Sequence, residues 1–154
     1  MIKPANINPH IVEMLYSEAL LLADEVRAAF QVDGKLVGGE TGDDLARIAL
    51  SCEGLRTTTR MMHALAWLLN RRAHFSGDLS EFQLRRHGNL PSDNPSDPEQ
   101  LAMLNAQLQE LVRRTEKFHA RIARLDHAWR EKFTMHPAAI HRLHHRLGRE
   151  IAQR

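Results

Sequence analysis

Apolar residues recur along this chain in the three- and four-residue steps of amphipathic helices, and three long stretches carry the pattern. The first opens at Asn8-Pro9, where asparagine suits a helix cap and proline its first turn. Ile11, Leu15, Leu22, Val26 and Ala29 follow, predicting a helix over about 9–31. Four glycines between Val32 and Gly42 read as a loop. A second helix is predicted over about 43–74, with acidic residues near its start that suit the helix dipole. Its positions Ile48, Cys52, Leu55, Thr59, Met62, Ala66, Leu69 and Ala73 alternate steps of four and three. That is the period of helices packed at shallow angles, so this seam is expected to face the core.

Asp97-Pro98-Glu99-Gln100 combines a cap, a first-turn proline and a capping-box glutamine, and opens a third helix over about 98–134. Leu101, Leu104, Leu108, Leu111, Thr115, Phe118, Ile122, Leu125 and Trp129 form its seam, and Pro137 is expected to lie beyond its end. Short helices are predicted over 79–86 and 137–152, the latter with Ile140, Leu143, Leu147 and Ile151 along one side. The predicted fold class is all-α: an antiparallel three-helix bundle with a short extra helix and a C-terminal helical segment, in a single domain over 1–154.

Composition agrees with helices: hydrophobic residues make up 43% and aromatics only 5%. Cys52 is the only cysteine, which excludes a disulfide framework within the chain and fits a reducing compartment. With no secretory signal pattern and no apolar run near the roughly 18 residues of a membrane span, the expected location is cytoplasmic. A net charge of +2 says little about partners. Ten histidines say more, because His136, His141, His144 and His145 fall near the C-terminus and make that end basic when protonated.

Catalytic patterns are weak. The run Gly34–Gly42 has Lys35 ahead of its last three glycines, not after them, and so lacks the order of a phosphate loop. Glu116 and His119 match Glu-x-x-His, but a di-iron bundle needs two copies, so a solvated pair is expected. His141 and His145, four apart, form an incomplete metal site and are the weak alternative to no metal at all. No catalytic residues and no cofactor are expected. Arg142, Arg146, Arg149 and Arg154 offer an alternative function, a small nucleic-acid-binding or regulatory protein using a basic His/Arg-rich C-terminal helix. Glu150 and the lack of stacking aromatics count against it.

The second helix carries more information. Met61, Leu65 and Leu68 make a second apolar stripe off its seam, with Trp67 beside it, and Arg56, Arg60, Arg71 and Arg72 flank the stripe. Either the first helix or the 79–86 helix covers this stripe, or it is a dimer or partner surface, where tryptophan and arginine are over-represented. On the second reading those eight residues are the interface, and Leu68→Asp breaks the dimer.

The run Leu55-Arg56-Thr57-Thr58-Thr59-Arg60-Met61-Met62, followed by Ala66-Trp67-Leu68-Leu69 and Arg71-Arg72-Ala73, resembles the RcdA family of alphaproteobacteria, regulators of degradation of the cell-cycle regulator CtrA. A weaker similarity runs through Arg121-Ile122-Ala123-Arg124-Leu125-Asp126, and the whole covers about residues 10–130. The resemblance implies a non-enzymatic, homodimeric helical adaptor that brings protein cargo to the ClpXP unfoldase and protease once a receiver-domain partner has primed it. Where the adaptors of that family carry a longer flexible tail, this chain has its His/Arg-rich helical segment.

Overall fold

The computed structural model describes residues 7–37 and 44–151. Among them are five helices and no strand: α1 (Pro9–Val37), α2 (Asp44–Phe75), α3 (Glu81–His87), α4 (Pro98–Ala102) and α5 (Ala106–Ile151). The chain is an all-α bundle.

The predicted Asn8 cap forms, and α3 carries a capping box of its own. Asn8 Oδ1 accepts from the Ile11 N–H at 2.9 Å, and Ser80 and Gln83 close a capping box on α3. The boundaries differ in three places. α1 continues through Gly34 to Val37, so the start of the predicted loop is helical. The rest of that loop, residues 38–43, lies outside the described residues. The predicted third helix is split, because Asn105 Oδ1 accepts from the Leu108 N–H at 2.9 Å and caps a fresh helix after a break at 103–105. α5 then runs through Pro137 to Ile151, and the predicted 137–152 helix is its continuation. An interior proline removes one backbone hydrogen bond at a cost of about 3 kcal/mol, which weakens a helix locally without obliging it to end.

Helix directions follow from the ion pairs. α1 is antiparallel to α2, with Glu13 and Arg72 at 2.6 Å, and to α5, with Glu18–Arg121 at 2.7 Å and Glu25–Arg114 at 2.6 Å. α2 and α5 run the same way: Arg60 meets Thr115 and, farther along both helices, Trp67 meets Asp126. Of the three long helices, α1 is thus antiparallel to both others, and α2 and α5 are the parallel pair. A chain that leaves the end of α2 must travel back before it starts α5, and residues 76–105 make that journey. Gly88 lies at Arg71, Asp93 at Arg60, the Asp97 N–H at Glu53, and Leu104 packs with Ala49. This return segment is laid backwards along α2.

The main core joins Val12, Leu15, Leu22 and Val26 of α1 to Met61, Ala64, Trp67 and Leu68 of α2 and to Leu111, Phe118 and Ile122 of α5. The α5 seam faces this core as the sequence predicts. Gly54 lets α1 approach α2, since a Cβ there would lie 3.1 Å from the Phe30 ring. No helix among the described residues is long and apolar enough to cross a membrane.

Candidate interaction surface

On α2 the two faces are the reverse of the expected ones. The regular apolar seam points outward: Ile48 is 53% exposed, Leu55 69%, Met62 62% and Leu69 46%. The buried row is Ala49, Glu53, Thr57, Arg60, Ala64, Trp67 and Arg71, with Met61 and Leu68 beside it. Four of those nine side chains are polar or charged, so apolar periodicity alone selects the wrong row.

The return segment explains the polar row. Residues 88–97 have no regular secondary structure, and their backbone groups still need partners wherever water is excluded. Arg60 supplies several at once: its Nε donates to both oxygens of Asp93 at 3.0 and 2.9 Å, Nη1 to Thr115 Oγ1 at 3.0 Å, and Nη2 to the Asn94 carbonyl at 3.3 Å. Arg71 donates through Nη1 to the Gly88 carbonyl and through Nη2 to Asp126 at 3.3 Å. Gly88 must be glycine for that approach, because a Cβ would fall 2.9 Å from Arg71 Nη1 and 2.5 Å from the Leu84 carbonyl. At the other end Glu53 Oε1 accepts from the Asp97 N–H at 3.0 Å and from Arg56 Nη1 at 2.7 Å, while Arg56 also donates to Gln100 at 2.6 Å. Gln100 is thus turned to Arg56, and Glu53 satisfies the Asp97 N–H that the predicted capping box assigned to it.

Asp126 anchors the far end of this ladder. It accepts from Trp67 Nε1 at 2.8 Å and pairs with Arg71 and, at 2.8 Å, with Arg130. The Arg71 guanidinium stacks over the Trp67 ring at 4.1 Å. Burial pushes the Arg71 guanidinium down to about 10, opposed by Asp126 and reinforced by Arg130. His119, expected to be solvated, is buried; burial holds its imidazole below the ordinary 6.5, Asp93 opposes that and Arg60 adds to it. Its Nε2 has no hydrogen-bond partner.

Of the residues predicted at the interface, Arg60, Met61, Trp67, Leu68 and Arg71 are buried inside the protomer. They cannot form a surface stripe, because α1, α5 and the return segment cover them. Leu68→Asp would therefore attack the core and not a dimer contact. Arg56 and Leu65 are half-buried. Arg72 lies at the surface, bound to Glu13 and stacked over Tyr16 at 4.3 Å. Glu53, His119 and Asp126 are not expected in the interior from the sequence, although Thr115, His119, Ile122 and Asp126 follow one another in steps of four, three and four on α5. The side chains of His141 and His145 lie outside the described residues. Among the described residues no group of three His, Cys, Asp or Glu side chains is placed to hold a metal ion.

Among the described residues the α2 seam is an exposed apolar strip. Beside Met62 it continues into an apolar groove of about 410 Å³ between α1 and α2, floored by Val26, Phe30, Met61 and Leu65. The fold and this surface define a helical-bundle protein with an unpartnered heptad face on its central helix. A family model described as "Protein of unknown function (DUF1465)" matches residues 4–151, and the chain belongs to that family. No curated protein and no solved structure matches it.

Proposed function

We propose that the protein is a non-enzymatic, homodimeric cytoplasmic adaptor that binds protein partners and regulates ClpXP-dependent proteolysis of cell-cycle regulators. One observation carries the proposal. The run that resembles the RcdA family lies wholly on α2, the helix that both organises the core and offers an apolar face to the outside. The mechanism is tethering: holding cargo beside the unfoldase raises its effective concentration without new chemistry, and needs no cofactor. Contiguous exposed apolar surface of this kind supports a role in protein recognition.

The test is a reconstituted degradation reaction containing ClpXP, a receiver-domain primer and a cell-cycle regulator as cargo. Adding the protein is expected to accelerate cargo loss several-fold, with saturation as the adaptor fills its sites. Degradation that is unchanged by the protein across a panel of such cargoes would overturn the proposal.

A further inference from the structure

We infer that a groove between the C-terminal half of α1 and the start of α5 is a docking site for an amphipathic helix of a partner protein, one with apolar anchors on one face and lysine or arginine on its flanks. The inference deepens the reading of the protein as a partner-binding bundle and rests on it, but neither on ClpXP nor on the α2 seam.

The groove holds about 780 Å³, nearly twice the volume of the one beside Met62, and lies on a different pair of helices. Its floor is Ala28, Ala29 and Val32 of α1 with Leu108 and Leu111 of α5. Small residues make it: Ala28, Ala29 and Ala106 stand where longer side chains would close the space between the two helices. Leu108 and Leu111 are buried beneath, while Ala28 is exposed and Val32 is 58% exposed, so apolar surface faces water. A smaller hollow of about 270 Å³ shares Glu25 and Arg114 with the groove and carries the same face on to Leu21, itself 70% exposed.

This shape fits a helix. Leu21, Ala28 and Val32 are seven and four residues apart, an open row of roughly 16 Å along α1. A helix laid along that row covers the same span with anchors at i, i+4, i+7 and i+11. Among the described residues there is no strand, hence no sheet edge that an extended peptide could join.

The rim sets the partner's charge. Among the lining residues Glu25, Asp33 and Glu110 bring three carboxylates against the one guanidinium of Arg114, a net charge of −2. Glu25 takes that guanidinium at 2.6 and 3.3 Å, and Asn105 donates to Asp33 at 2.6 Å without neutralising it. The groove beside Met62 differs, since its one charged lining residue, Arg27, is paired with Asp24. An acidic rim around an apolar floor attracts a helix with basic flanks and repels one with acidic flanks.

The probe is a fluorescein-labelled leucine–lysine peptide of about 18 residues, leucines at the anchor positions, titrated with the full chain by fluorescence anisotropy. A leucine–glutamate peptide of the same pattern is the control. The lysine peptide should bind saturably and at least about tenfold more tightly than the glutamate peptide. Ala28→Trp, which fills the groove, and Glu110→Lys, which brings its rim to neutrality at an exposed position, should each weaken binding about tenfold. Met62→Glu should leave it unchanged. No binding of the lysine peptide up to about 200 µM, equal binding of the two peptides, indifference to both groove variants, or loss in Met62→Glu would overturn the inference. The degradation assay is separate: a chain that binds the peptide in this groove and fails to accelerate proteolysis overturns the adaptor role and leaves the docking site standing.

Discussion

At the scale of single residues, the arginines of α2 look alike in the sequence and do different work in the fold. Arg71 is a buried cation whose removal takes one of the three partners of Asp126 and deprives the Gly88 carbonyl of this donor. Arg71→Ala is expected to cost about 3–5 kcal/mol, the usual penalty for breaking a buried pair from one side, measured by urea denaturation. Arg72→Ala should leave the midpoint unchanged, since exposed pairs contribute little. His119 makes a pH prediction. Its imidazole is held below 6.5 in the fold, so below that pH the unfolded chain binds a proton that the folded chain resists. This contribution is fully present above 6.5 and is lost as the pH falls. In His119→Gln the drop in stability between pH 7.5 and pH 5.5 should be smaller than in the wild type; an equal drop would remove His119 from the account.

At the scale of elements, the helices were legible and the faces of α2 were not. Helix periods, the Asn8 cap and the α5 core seam follow from residue type and spacing alone. What the sequence hides is the direction of α5. Because α5 runs parallel to α2, a long irregular segment must return along α2, and that segment needs donors where a neighbouring helix would need methyl groups. Arg60, Arg71 and Glu53 therefore point inward, and Leu55 and Leu69 of the same helix point outward. Nothing local distinguishes this from the ordinary amphipathic pattern; only the topology does. The inversion has a direct consequence for mutants. Leu68→Asp, on the buried side, should lower stability by about 3–5 kcal/mol through lost packing and an unpaired buried charge. Leu55→Glu, on the open side, should stay within about 0.5 kcal/mol of wild type in chemical denaturation at low protein concentration.

At the scale of the whole molecule, α2 is an axle with two surfaces. It touches each of the other four helices through one side and keeps a heptad seam free on the other. This economy of contacts suits a protein that acts by holding others, and it ties any partner bound at the seam to the rigid core through one helix. Cys52, half-exposed within that seam, reports on its coverage without disturbing the fold. The rate at which a maleimide modifies Cys52, followed as the protein concentration rises from about 1 to 100 µM, reads whether a second copy covers the seam. The rate should fall with concentration in the wild-type chain and stay constant in Met62→Glu. A wild-type rate independent of concentration would mean that the seam remains open and that its heptad pattern does not serve a second copy.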